Sequence, residues 1–100
     1  MNFEIKGIHY ELSEKTTEQI EKKVKKLEFA SDIIVDLIFR IEREKGLYII
    51  SVNINFRWGL SHHIKVEDHD LYDGIDKIME KIKNKVAKEK ERIQDHSEKV

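Results

Sequence analysis

The sequence predicts an α+β fold of order β-α-β-β-β-α: a four-stranded mixed sheet with two helices packed on one face. Three observations predict it. Four segments alternate apolar and polar residues with period two, so each strand has one face to bury and one to expose. Two segments repeat apolar residues at spacings of three and four, which gives each helix one apolar stripe. The first helical segment separates the first strand from the second, and such a crossover joins parallel strands with a right-handed connection. A sheet with one apolar face needs cover on that side only, so both helices belong there.

The elements follow in order. Phe3-Glu4-Ile5-Lys6 alternates as a short strand, and Gly7 marks a bulge or bend. Ser13 is a suitable N-cap, with Glu14 in the first turn where the helix dipole favours an acid. The helix then runs to about Glu28 and buries Thr17, Ile20, Val24 and Leu27. Phe29-Ala30-Ser31-Asp32 is the linker. Ile33 to Glu42 forms a long strand, with Ile33, Val35, Leu37, Phe39 and Ile41 inside and Asp36, Arg40 and Glu42 outside. Arg43-Glu44-Lys45-Gly46 is a turn, in which Gly46 supplies the unusual backbone angle.

Tyr48 to Phe56 buries Tyr48, Ile50, Val52, Ile54 and Phe56 and exposes Ser51, Asn53 and Asn55. After a turn at Trp58-Gly59, Leu60, His62, Ile64 and Val66 alternate against Ser61, His63, Lys65 and Glu67 as the fourth strand. Asp70 caps the last helix, Asp73 lies near its dipole, and Leu71, Ile75, Ile78, Ile82 and Val86 form the buried stripe. From about Gln94 the apolar period is lost and the end frays.

Composition sets the function classes. A chain of 100 residues with 39% hydrophobic residues is one domain with one core. No apolar run approaches the ~20 residues of a membrane span, and the N-terminus reads as a strand rather than a signal peptide. No cysteine is present for a disulfide, a thiolate nucleophile or a thiolate zinc site. His62 and His63 are neighbours in a strand and point to opposite faces, while His9, His69 and His96 show no ligand spacing, so no metal is expected. The acids Asp68, Asp70, Asp73 and Asp76 are explained by a helix start. The glycines form no phosphate loop, and no catalytic set or cofactor is nominated. These readings describe a non-enzymatic cytoplasmic domain without a membrane partner.

The net charge of −1 excludes a globally basic nucleic-acid binder but not a locally basic one. From Lys77 to Arg92, six lysines and one arginine face three glutamates, a local excess of +4. Lys77, Lys81, Lys85, Lys88 and Arg92 recur every three or four residues beside the buried stripe. Lys23 and Lys26 flank the first helix's apolar face, with Lys22 nearby, and side-by-side helices would join these cations in one positive surface. Such an array binds phosphates. Cations late in a helix also suit its dipole and form ion pairs such as Glu89 with Lys85, so a plain solvated face is the competing reading. The polar open face of the sheet argues against base stacking there and favours double-stranded or folded RNA on the helices. A self-associating interaction module is the alternative from a different class.

Asp70-Leu71-Tyr72-Asp73-Gly74-Ile75-Asp76 resembles the D-L/M-Y-A-A-I-D signature of the ribosome hibernation promoting factor family, which includes the ribosome-associated inhibitor protein Y. Lys23, Lys26 and Leu27 resemble its K-x-x-K-L motif, and Lys88-Glu89-Lys90-Glu91-Arg92 its terminal K-x-K-x-K run. The resemblance spans Phe3 to His96. It implies a fold akin to double-stranded RNA-binding domains, with residues 1–96 a single ribosome-binding domain and 97–100 a frayed tail. It also implies binding to the small ribosomal subunit at the decoding region, occupation of the tRNA and mRNA sites, and inhibition of translation under stress or in stationary phase. The matching contacts to ribosomal RNA are Lys23, Lys26, Lys81, Lys88, Lys90 and Arg92; Lys22, Lys77 and Lys85 join them by geometry alone. DNA is not an expected partner, and the isolated protein is expected to be monomeric. Asp73-Gly74 departs from the family's alanine pair, and the length matches the short form.

Overall fold

The computed structural model describes the backbone of residues 1–98 and the side chains of residues 1–92. Strand β1 (Asn2–Ile8) leads into helix α1 (Glu14–Val24), followed by a 3₁₀ turn over Lys25–Ala30. Strands β2 (Ile34–Glu44), β3 (Leu47–Phe56) and β4 (Ser61–Asp68) form a meander, and helix α2 (Leu71–Glu98) closes the chain. The sheet order is β1-β2-β3-β4, with β1 parallel to β2 and the other pairs antiparallel. The α+β architecture is the one the alternation predicts. Of the tail expected to fray, α2 carries the backbone to Glu98, and Lys99 and Val100 lie outside the described residues.

Both helices cover the same face. Ile20, Val24 and Leu27 come down from the first helical segment and Leu71, Ile75, Ile78, Ile82 and Val86 from α2. They meet Leu37, Phe39, Ile41, Ile50, Val52, Ile54 and Phe56 in one buried cluster. Phe3 packs edge-on against Phe39 at 5.9 Å and ties the edge strand to the core. Each of these aliphatic side chains contributes about 1.5–3 kcal/mol through removal from water. At the opposite end of β3, Tyr10 packs edge-on against Tyr48 at 5.8 Å, and burial, then the Tyr48 neighbour, pushes its hydroxyl pKa up.

Four local expectations are corrected. The first helix ends at Val24, not near Glu28. The 3₁₀ turn that follows has three residues per turn, so Val24, Leu27 and Ala30 line up on one side, and Leu27 and Ala30 are fully buried. Ala30 is therefore core rather than linker. Thr16, not Thr17, is the buried threonine of α1, because the Ser13 cap sets the phase: Ser13 Oγ accepts the Thr16 N–H at 3.1 Å and donates to Thr16 Oγ1 at 2.8 Å. Val35 is 45% exposed, because a register shift between Ile34 and Asp36 lets Ile33 and Ile34 both turn inward before the alternation resumes at Leu37.

Gly7 is the fourth. The β1–β2 ladder runs through it without a bulge, pairing it with Ile41. A Cβ there would lie 2.1 Å from the Tyr10 carbonyl oxygen, so the chain needs glycine for the close return of the following loop. In the β2–β3 hairpin Gly46 turns the chain as expected, but Arg43 and Glu44 pair with Tyr48 and Leu47 as the end of β2, so the turn is shorter than the four residues expected. Lys45 and Gly46 both have positive φ, the two-residue turn that matches strand twist.

Candidate RNA interface

Helix α2 starts firmly. The Asp70 carboxylate accepts the Asp73 N–H at 3.0 Å, as an N-cap does. Asp68 Oδ1 accepts the Asp70 N–H at 2.9 Å, and Asp68 Oδ2 accepts from Lys77 Nζ at 2.6 Å. The lysine hydrogen bond, then the Asp70 N–H, holds the Asp68 carboxyl below the usual carboxylate range. The same bond raises the Lys77 pKa. Gly74, where the family signature has alanine, packs the first turn onto β3: a Cβ would stand 2.7 Å from Ile50 Cδ1 and 3.3 Å from Asp68 Cβ. Close packing at this point positions the whole basic helix over the sheet.

The structure divides the expected cations by their partners. Lys77 is tied to Asp68. Lys85 pairs with Glu89 at 3.1 Å, and Arg92 approaches the same carboxylate at 3.7 Å. Glu89 is itself buried, so one acid at the edge of the core restrains two cations of the strip. Lys23 forms an ion pair with Asp76. Lys90 donates to the Phe29 carbonyl, lies 3.3 Å from Asp32 and sits over the Phe29 ring, which pins the 3₁₀ turn to α2. Lys22, Lys26, Lys81 and Lys88 are exposed and make no ion pair among the described residues. Pairing across the fold thus singles out a smaller set of free cations than the sequence motif does.

The cations also fall on two flanks rather than one surface. Lys23, Lys26 and Leu27 line a groove of about 210 Å³ with Asp76, Met79, Glu80 and Lys83 of α2. That groove places α1 on the Asp76 side of α2, and the Lys77–Asp68 pair places the other side along β4. Lys81 and Lys83 lie about 160° apart around the helix axis at 100° per residue. Lys77, Lys81, Lys85, Lys88 and Arg92 therefore follow the β4 side, away from Lys23 and Lys26. Exposed Asp73, Glu80 and Glu91 occupy the ridge between. The single positive surface expected from side-by-side helices is two patches. Lys83 joins the groove patch; it lies off the Lys77–Arg92 strip, and the helical angle alone places it on the opposite flank.

The open face of the sheet is mostly polar, as the alternation predicts, although register also puts Ile8, Ile38 and Ile49 on it. Asp36 accepts from Asn2 Nδ2 at 3.2 Å and from Asn55 Nδ2 at 3.0 Å, and Ser61 Oγ donates to Asn55 Oδ1 at 2.8 Å, a side-chain ladder across all four strands. His63 Nδ1 meets Asn53 Oδ1 at 2.6 Å on this face, while His62 lies opposite Ile54 on the other. Among the described residues no cluster of three or more metal-ligating side chains forms, and no helix is long and apolar enough to cross a membrane.

Comparison with known proteins assigns the chain. Residues 3–94 match the family described as sigma 54 modulation protein / S30EA ribosomal protein. The chain belongs to this family. Membership makes it a ribosome-associated modulation protein of a non-enzymatic family, the one that its D-L-Y-D-G-I-D segment resembles. A ribosomal subunit interface protein from Coxiella burnetii superimposes with a TM-score of 0.82 at 23% identity, over 90% of this chain and 98% of that one. The N-terminal domain of Thermus thermophilus Protein Y gives 0.75 at 21% identity, over 86% and 96%. At these identities the likeness is one of fold. No curated protein sequence matches significantly.

Proposed function

We propose that this S30EA-family protein is a ribosome hibernation factor: it binds the small ribosomal subunit at the decoding region, occupies the tRNA and mRNA sites and inhibits translation under stress or in stationary phase. Residues 1–96 act as a single domain, as a monomer, in the cytoplasm. The observation that carries the reading is the set of exposed cations that make no ion pair among the described residues, Lys81 and Lys88 on the β4 side of α2 and Lys26 in the 3₁₀ turn on the α1 side. Lysines in this state attract phosphates without first breaking an internal pair, and their binding is salt-dependent because it releases counterions. The names of the two similar structures, a ribosomal subunit interface protein and Protein Y, favour the ribosome over other RNA. Lys23, Lys90 and Arg92 serve as secondary contacts that must exchange partners, and Lys22, Lys77 and Lys85 lie at the margin.

The test is co-sedimentation of the purified protein with small subunits through sucrose gradients at low and high salt, with competing tRNA. Comigration at low salt, loss at high salt and displacement by tRNA are expected. Absence from the small-subunit fraction at low salt refutes the reading. Equal competition by any RNA duplex reassigns the protein as a general structured-RNA binder.

A further inference from the structure

One end of the sheet carries apolar side chains that the core does not use. Of the five large apolar residues exposed among the described residues, Met1, Phe29, Val35 and Trp58 lie where β1 and β2 begin and β3 turns into β4; only Tyr72 lies elsewhere. Trp58 is the one of them whose ring stacks on another aromatic side chain. Its indole stacks on Phe56 at 5.2 Å and 17°, while 45% of the residue remains open to solvent. The turn that holds it is closed by the Phe56 N–H on Leu60 O at 2.8 Å and the Gly59 N–H on Phe56 O at 3.1 Å. The Arg57 N–H on Ile33 O at 3.0 Å fastens it to the chain before β2. Gly59 adopts φ 83°, which permits the tight return. The result is an aromatic plate stacked on Phe56 on one side and open to solvent on the other.

The chain places two exposed cations on the side of this turn. Arg57 is adjacent and exposed. Strand β4 advances about 26 Å from the Trp58 turn to Asp68, and α2 returns that length in about 17 residues, which brings the helix to Lys88 at the level of Trp58. Lys88 lies on the β4 side of α2, the side of this turn. A rigid aromatic ring beside a basic track is the arrangement by which proteins hold single-stranded nucleic acid: the cations take phosphates and the ring takes a base. An apolar protein partner would not need that charge.

We propose that Trp58 stacks on an unpaired nucleobase of RNA whose phosphates are held by Arg57 and Lys88. This rests on the reading of the helix cations as RNA contacts, and it adds a base contact that the open sheet face does not offer. Trp58 is the only tryptophan, so its fluorescence reports this site alone.

Two measurements test it. The first titrates the full protein with a 12-residue oligoadenylate and, separately, with polyphosphate, which has the charge without the bases. Oligoadenylate is expected to quench Trp58 and polyphosphate to leave it unchanged. The second compares co-sedimentation with small subunits for wild type, Trp58→Ala and Trp58→Phe. Trp58→Ala is expected to weaken binding about tenfold without changing its salt dependence, and Trp58→Phe to stay within about threefold of wild type. A thermal melt of each variant separates lost stacking from lost folding. No quenching by oligoadenylate, equal quenching by polyphosphate, or unchanged binding by Trp58→Ala overturns the proposal. A protein mass that rises with concentration in the absence of RNA also overturns it, and assigns the patch to a second copy. If oligoadenylate quenches Trp58 while the protein fails to sediment with subunits, the ribosomal reading falls and the stacking site stands.

Discussion

Neutralising single lysines of α2 separates free cations from paired ones. Lys81 and Lys88 are exposed and lack ion pairs among the described residues, whereas Lys77 Nζ is 2.6 Å from Asp68 Oδ2. A phosphate contact made by a free cation contributes about 0.7–0.9 to the slope of log affinity against log salt. Lys81→Gln and Lys88→Gln should each lower the slope by that amount, which is about a threefold change in affinity ratio between 50 and 200 mM salt. The double variant should lose about twice as much, because two contacts on separate helical turns release counterions independently. Lys77→Gln should leave the slope within about 0.3 of wild type, because its charge is already neutralised by Asp68. The assay is small-subunit co-sedimentation at four salt concentrations, with circular dichroism as the control for folding. A slope lost equally in Lys77→Gln and Lys81→Gln would refute the claim that internal pairing decides which lysines bind.

Three further outcomes are expected. Glu89→Gln removes the buried carboxylate that restrains Lys85 and Arg92, so RNA binding should tighten and its salt slope steepen by about 0.7–1.8, as measured by the same sedimentation series. Stability should change by less than about 1 kcal/mol, since the charge removed is the desolvated one and both cations reach water. Gly74→Ala gains up to ~1 kcal/mol of helix propensity but forces its Cβ to 2.7 Å from Ile50 Cδ1 and 3.3 Å from Asp68 Cβ; urea unfolding should show no net gain, in contrast to the family's alanine at this place. The Asp68 pKa is lowered in the fold, so its contribution is complete above the unfolded value near 3.9 and is lost as pH falls through the folded value. Lys77→Met should therefore flatten the acid limb of a melting-temperature series below about pH 4, and an unchanged limb would dismiss the Asp68–Lys77 link.

How much the sequence reveals depends on the range of the interaction. Strand and helix types were legible because the alternation of Tyr48 to Phe56 and the stripe of Leu71 to Val86 are local patterns. The Ser13 and Asp70 caps and the turn at Gly46 were legible for the same reason. The bulge before Asp36 was not, because Ile33-Ile34-Val35 is apolar in either phase and only pairing with Phe56 chooses between them. The end of α1 was hidden because a spacing of three at Val24, Leu27 and Ala30 fits α and 3₁₀ geometry alike. In the site, the Lys85–Glu89 pair could be read from its four-residue spacing. Lys23–Asp76 and Lys90–Asp32 join distant segments, so the sequence counted those lysines as free when the fold engages them.

The placement of its acids leaves cations exposed on the helices although the net charge is −1. Asp32, Asp68, Asp76 and Glu89 are occupied by internal ion pairs. Register places Glu4, Asp36, Glu42 and Glu67 on the open face of the sheet, across the core from the helices. Asp73, Glu80 and Glu91 remain on the outer ridge of α2 and keep phosphates off the crest of the helix. The patches on either side of this ridge are separated by a helix of ~10–12 Å diameter, longer than the ~8 Å over which charges act at physiological salt. Under the proposed function each flank therefore meets phosphates on its own, and a flat phosphate surface engages only one. An RNA site with backbone on two walls and α2 lying between them engages both. That requirement is geometric, and under the proposed function it favours a folded RNA cleft over an arbitrary duplex without reading a single base.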